Sequence, residues 1–206
     1  MEAPHSPAAE SATHAISADD STGADDSTGA NDSTGANDST GDAHATSAAR
    51  LCVESPEQMQ ELGRRLAKLL RPGDLVMLTG ELGAGKTTLT RGLGEGLGVR
   101  GAVTSPTFVI ARVHPSLTGG PALVHVDAYR LGGGLDEMED LDLDVSLPES
   151  VVVVEWGVGK VEDLSDDRLQ VLIHRKVGDT DDDRREVTLT GFGARWATVD
   201  LTAMGA

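Results

Sequence analysis

The residues Gly80-Glu81-Leu82-Gly83-Ala84-Gly85-Lys86-Thr87-Thr88 carry the clearest chemistry in the chain. They satisfy G-x-x-x-x-G-K-[ST], the Walker A phosphate loop (P-loop) of nucleotide-binding proteins. The spacing has a physical basis. Gly80, Gly83 and Gly85 permit backbone conformations that turn successive N–H groups toward a phosphate. A helix starting near Gly85 adds its positive end. Lys86 brings an ammonium to the β- and γ-phosphates, and Thr87 supplies a hydroxyl for Mg²⁺. Ala84 and Thr88 complete the cradle. The flanks agree, with the apolar run LVMLT at 75–79 before the loop and the helix-compatible TTLTRGLGEGL after it. The spacing predicts ATP or GTP with Mg²⁺ as cofactor, and no base-reading motif such as N-K-x-D separates the two.

A phosphate loop needs carboxylates beside it. Asp127 ends the apolar run ALVHV at 122–126, where α/β sheets place ligands, and suits the Walker B task of holding magnesium through water. His125, two residues earlier, lies on the same face of that strand. Glu155 closes the run VVVV at 151–154 and falls at the same sheet edge. Two carboxylates near one magnesium ion can divide the work, one holding the ion and one orienting the attacking water. His125 can equally be a core histidine, Phe108, Tyr129 and Trp156 core aromatics, and the acidic stretch 136–144 a solvated helix face. Cys52 is expected to pack as a small hydrophobe.

These residues must be positioned by a sheet. A short strand is expected at 51–53. A helix follows, with Ser55 as N-cap, Pro56 in the first turn, Gln58 closing a capping box, and Met59, Leu62, Leu66 and Leu69 at helical spacing before Pro72-Gly73. The runs at 75–79, 122–126 and 151–154 read as strands buried on both faces of a parallel sheet. Residues 106–114 form a further strand joined to the next by a Gly-Gly-Pro turn. Residues 168–176 and 185–190 form a late hairpin around an acidic loop from Asp179 to Asp183. A short acidic helix is expected around Leu135–Leu143, and another after Gly193. The alternation predicts an α/β domain over 49–206, a three-layer P-loop NTPase-type sheet with helices on both faces.

Residues 1–48 read differently. From Asp19 they contain DDSTGA, DDSTGA, NDSTGA and NDSTGD, a six-residue unit whose apolar content is alanine alone. Such a segment cannot bury enough surface to offset a backbone entropy cost of about 1–2 kcal/mol per residue, so a disordered acidic repeat tail is expected. It holds nine carboxylates and no Lys or Arg, so it accounts for −9 of the net charge of −17 and leaves the domain at −8. Basic residues are outnumbered in both parts, which disfavours direct grasp of a nucleic-acid backbone. A single cysteine excludes an internal disulfide and a thiolate cluster. No apolar run approaches the ~20 residues needed to span a bilayer, and the N-terminus has neither the basic region nor the apolar core of a secretory signal. A cytoplasmic protein without membrane contact is expected.

Taken in order, GELGAGKTT, Ser105-Pro106-Thr107-Phe108, His125-Val126-Asp127-Ala128-Tyr129-Arg130-Leu131 and Glu155-Trp156 resemble TsaE, the small ATPase family of bacterial tRNA threonylcarbamoyladenosine biosynthesis. The resemblance runs over about residues 50–190. It implies ATP as the nucleotide. It also implies a TsaB–TsaD heterodimer as partner, in an assembly that modifies the adenosine beside the anticodon of tRNAs reading A-starting codons. Contact with tRNA would be indirect, through the complex, and hydrolysis would reset the complex between turnovers. By position, Gly83–Thr88 would bind the phosphates and Thr87 the Mg²⁺. Thr107 would approach the γ-phosphate, Asp127 and Glu155 would form the acidic pair at the metal, and Trp156 would lie close to the nucleotide. Arg184 or Arg185 of the late hairpin would approach it as well. The chain departs from the family at Gly157, where proline is common, in its weakly helical C-terminus RWATVDLTAMGA, and in the repeat tail. Two rivals remain open at this point. A small-molecule kinase would need an arginine-rich lid, for which Arg184-Arg185 is the one candidate. A nucleotide-gated binding module would hydrolyse nothing.

Overall fold

A computed structural model describes residues 45–106, 110–130, 141–175 and 184–205. Among these residues seven strands form one mixed sheet: β1 (Ala45–Val53), β2 (Leu75–Gly80), β3 (Ala111–His114), β4 (Ala122–Asp127), β5 (Ser150–Glu155), β6 (Arg168–Arg175) and β7 (Arg185–Phe192). Their spatial order is β1-β7-β6-β2-β5-β4-β3. The central four, β6-β2-β5-β4, are parallel to their neighbours. The β3–β4, β6–β7 and β1–β7 pairs at the flanks are antiparallel.

Helix α1 (Pro56–Ala67) starts as its sequence dictates. The Gln58 backbone N–H donates to Ser55 Oγ at 3.3 Å. Gln58 closes the cap one residue further back than expected, its Oε1 accepting from the Glu54 N–H at 2.8 Å. Helix α2 (Lys86–Leu97) lies against α1. The two approach through glycine: a Cβ at Gly92 would overlap the backbone carbonyl of Gln60, and one at Gly63 the carbonyl of Leu89. On this face Leu62, Leu66, Leu89 and Leu93 pack over Val76, Leu78, Val151, Val153 and Leu169. Trp196 of α4 (Ala194–Ala197) and Leu201 complete the layer. The opposite face carries Met77, Val124, Val126, Val152 and Val154, covered by Leu143 of the short helix α3 (Leu143–Ser146) and by Leu147 and Val161. Helices therefore lie on both faces of the sheet.

The covering is uneven. The runs on β2, β4 and β5 are buried on both faces, whereas β1, β6 and β7 alternate. Ala49, Leu51 and Val53 of β1 point inward, while Arg50 and Cys52 are exposed. Cys52 therefore faces solvent rather than packing as a small hydrophobe, because strand alternation at the sheet edge puts it on the open side. Strand β1 also begins at Ala45, six residues ahead of the strand expected at 51–53 and within the segment read as tail. The polar stretch is held by backbone pairing to β7 and by Thr46 Oγ1, which donates to the carbonyls of Gly191 and Gly193 at 3.1 Å each. The strand expected at 106–114 is shorter, spanning Ala111–His114. The acidic loop from Asp179 to Asp183 lies outside the described residues, as does most of the helix expected around Leu135–Leu143.

A buried ion pair ties the C-terminal segment to the loop ahead of β2. Arg195 Nε and Nη2 donate to the two carboxylate oxygens of Asp74 at 3.2 Å each, and Nη2 also donates to the Leu69 carbonyl at 2.6 Å. Among the described residues no helix is long and apolar enough to cross a membrane.

Two predictions follow from this packing. Gly92→Ala is expected to destabilise the fold by about 1–3 kcal/mol, the usual cost of overpacking, because the obstacle is backbone; urea unfolding measures it. Burial, with some repulsion from His125 and Arg112, holds the His114 imidazole below its ordinary pKa of 6.5 despite a backbone hydrogen bond at Arg100. The unfolded chain then takes up the proton first, so the stability contributed by neutral His114 is complete above about pH 6.5 and is lost as pH falls through the depressed value. Unfolding at pH 7.5 and 5.5 should show this loss, and His114→Phe should diminish it.

Candidate functional site

Strand β2 ends at Gly80, and α2 begins at Lys86. The loop between them is fixed by two glycines. Gly80, at φ +154°, passes so close to β6 that a Cβ would overlap the Ile173 carbonyl. Gly85, the helix N-cap, sits at φ +113°, where a side chain would be strained. Ala84 is buried, and its N–H donates to the Glu81 carbonyl at 3.1 Å.

Lys86 is buried in this loop. Its Nζ donates to the carbonyls of Gly80 at 2.8 Å and Glu81 at 3.0 Å, and stands 3.9 Å from the centre of the Trp156 ring. Burial lowers the pKa of the ammonium, while the charges of Glu155 and Asp127 act to raise it. Trp156 reaches this position by an unusual backbone, a non-glycine residue at φ +62°, with its N–H donating to the Leu78 carbonyl at 3.0 Å. Strain of this kind costs about 1–3 kcal/mol and collects at functional sites. The ring also meets Tyr129 at a centroid separation of 5.4 Å, and Tyr129 itself is 73% exposed. Tyr129 therefore belongs to the rim of the site and not to the core. After Trp156 the chain is tied back to the end of β4, where Lys160 Nζ donates to the Ala128 carbonyl at 2.7 Å.

Parallel pairing of β4 and β5 sets Asp127 directly beside Glu155. Both are buried at the strand ends next to the loop. Thr87 Oγ1, on the first turn of α2, donates to Glu155 Oε1 at 3.0 Å. His125 Nε2 lies 2.9 Å from that same oxygen, with its ring wholly buried. Asp127 Oδ1 accepts from the Tyr129 backbone N–H at 3.2 Å. The sequence placed His125 on the Asp127 face of β4 but left its role open; the structure joins it to Glu155. The link from Thr87 to Glu155 across α2 and β5 has no local sequence signal, since only the sheet register brings them together.

The remaining expected residues divide. Gly80, Gly83, Ala84, Gly85, Lys86, Thr87, Asp127, Glu155 and Trp156 gather at the β2, β4 and β5 ends. Thr88 turns toward a small cavity of about 40 Å³ that it lines with Ser55, Pro56, Met59, Ala84 and Arg185. Arg185 is thus the late-hairpin arginine beside the loop. Arg184 lines only a larger cavity, about 380 Å³, which it shares with Arg185, Arg50, Cys52 and Glu186 along the edge strand. Thr107 and Phe108 lie outside the described residues.

The donor set fits a phosphate with a hard divalent cation. Thr87 and Glu155 converge two oxygens, and Asp127 adds a second carboxylate beside them. Mg²⁺ in such sites is held by one or two protein oxygens, phosphate oxygens and water, not by an all-protein cage. Among the described residues no trio of His, Cys, Asp and Glu forms a metal cluster.

A family model described as "Threonylcarbamoyl adenosine biosynthesis protein TsaE" matches residues 53–187. A Streptomyces coelicolor protein named tRNA threonylcarbamoyladenosine biosynthesis protein TsaE is 79% identical over 146 residues, covering 71% of this chain and 99% of its own length. A Bacillus subtilis protein of the same name is 41% identical over 143 residues, covering 69% of this chain and 85% of its own. A solved structure described as Bacillus subtilus YdiB superposes with a TM-score of 0.57 at 35% identity, covering 74% of this chain and 91% of that one.

Any phosphate that draws Lys86 from the indole should change Trp156 emission. Adding Mg-ADP is expected to shift or quench the tryptophan fluorescence. Trp156→Phe should abolish the response and Trp196→Phe should keep it, because Trp196 is fully buried in the core.

Proposed function

The chain belongs to the TsaE family, and from that premise we propose that it is a Mg-ATP-hydrolysing subunit of tRNA threonylcarbamoyladenosine biosynthesis. It works in association with a TsaB–TsaD heterodimer in the cytoplasm and touches tRNA only through that complex. The names carried by its relatives support the pathway. The observation that carries the ATPase reading is the meeting, at the ends of β2 and β5, of the Lys86 ammonium, held by the Gly80 and Glu81 carbonyls and the Trp156 ring, with the Thr87 hydroxyl bonded to Glu155.

In this reading the loop N–H groups from Gly83 to Thr88 cradle the phosphates. Lys86 exchanges its bonds to the Gly80 and Glu81 carbonyls for phosphate oxygens, an exchange that burial of the ammonium favours because an anion is its best partner there. Thr87 and Glu155 would hold the Mg²⁺, with Asp127 beside them; when bound, the ion would neutralise charge on the phosphates and ease transfer of the terminal one. With Glu155 on the ion, Asp127 would orient the attacking water; Trp156 covers the lysine, and Arg185 flanks the loop on the α1 side. Thr107, outside the described residues, would approach the γ-phosphate if the family resemblance holds at that position. No arginine lies within the phosphate loop itself, so turnover by the isolated chain is slow and rises with its partners.

Phosphate release measured with TsaB and TsaD present tests this reading. Lys86→Ala and Glu155→Gln are each expected to lower the rate by about 10²-fold or more, the usual effect of removing a charge-stabilising group. A Glu155→Gln protein with full activity would remove that residue from its role, and absence of hydrolysis by the wild-type chain with both partners would leave a binding module in its place.

A further inference from the structure

His125 has a cost that packing alone does not require. Its ring is wholly buried on β4, on the same sheet face as Leu123, which is equally buried in the core. An apolar side chain would fill this position without leaving a polar atom behind. The imidazole does leave one: Nδ1 is buried and has no hydrogen-bond partner among the described residues. Only Nε2 is used, and its partner is Glu155 Oε1 at 2.9 Å. A carboxylate can only accept, so the proton between them is assigned to Nε2. Thr87 Oγ1 donates to the same Oε1, and Oε2 receives no hydrogen bond among the described residues. Two donors from two different elements therefore fix one oxygen of Glu155 and leave the other available as a hard oxygen donor.

We propose that His125 is a positioning residue for the metal site, holding Glu155 through Nε2–H so that its carboxylate is set for a divalent cation before the cation arrives. The proposal rests on the ATPase reading and deepens it, with His125 acting through Glu155. Hydrogen bonds to metal-binding carboxylates characteristically set affinity in this way, and losing one costs about 10–100-fold.

The test uses the full chain, with Mn²⁺ as a paramagnetic substitute and ADP as the nucleotide. Free Mn²⁺ is counted by electron paramagnetic resonance, and ADP binding without metal is measured in EDTA. His125→Leu is expected to weaken Mn²⁺ binding to the ADP complex by about 10–100-fold and to leave metal-free ADP binding unchanged. His125→Gln, whose amide N–H can donate to the same oxygen, should recover most of the loss. Because the apolar variant removes an orphaned nitrogen, His125→Leu and His125→Phe should unfold in urea no earlier than wild type. Wild-type Mn²⁺ affinity in His125→Leu, or a His125→Gln protein as weak as His125→Leu, would overturn the assignment. So would a marked loss of stability in both apolar variants, which would make His125 a packing residue. Failure of the wild-type chain itself to bind Mn²⁺ with ADP would instead overturn the ATPase reading beneath it.

Discussion

Glu155 Oε1 is the point at which three elements meet. It lies at the end of β5, receives Thr87 from the first turn of α2 and receives His125 from the interior of β4. None of these residues is near another in sequence. Their meeting requires β4 and β5 to be parallel and in the register that pairs Asp127 with Glu155, and requires α2 to leave β2 at the angle set by the phosphate loop. A slip by one residue would carry Glu155 to the opposite face of the sheet and break its bonds to Thr87 and His125. The valines of β5 are buried on both faces, so the polar residue that closes the run, rather than the run itself, is what a slip would misplace.

The site also concentrates unfavourable local arrangements: a tryptophan in the left-handed region, a lysine out of solvent and a histidine with an orphaned nitrogen. The first two are compensated by neighbours. The Trp156 backbone is held by Leu78, its ring lies over the Lys86 ammonium, and the ammonium is satisfied by loop carbonyls that a phosphate can replace. Strained and desolvated groups persist where surrounding structure over-determines them. Here the two-sided burial of β2 and β5 supplies that constraint.

The phosphate loop, the carboxylates at strand ends and the central strands were legible in the sequence because each is a local pattern. G-x-x-x-x-G-K-T is read in eight residues, and ALVHVD or VVVVE announces both a buried strand and its polar end. What stayed hidden depends on contacts distant in sequence. Nothing near His125 points to Glu155, thirty residues on. The Asp74–Arg195 pair joins positions 121 residues apart. Cys52 lies exposed where its residue type suggests burial, because residue type says little about which face of an edge strand lies open. Strand β1 extends beyond its apolar residues for a related reason: the stretch from Ala45 is polar, and its order comes from β7 rather than from its own side chains. Between Arg184 and Arg185, only the placement of β7 distinguishes them, with Arg185 and Thr88 lining one small cavity.

Helix α2 carries Gly92, Gly94 and Gly96 along its length, each roughly 1 kcal/mol poorer than alanine in an isolated helix. Its helicity is therefore borrowed from α1 and from the sheet, where those same glycines permit close approach. The consequence is that the phosphate loop is not a portable module. Cut out as a strand–loop–helix peptide, or grafted onto another scaffold, the segment would carry every residue of the motif and still lack its shape. In this chain the cradle is a property of the finished fold, and the signature in the sequence marks where that property appears rather than what produces it.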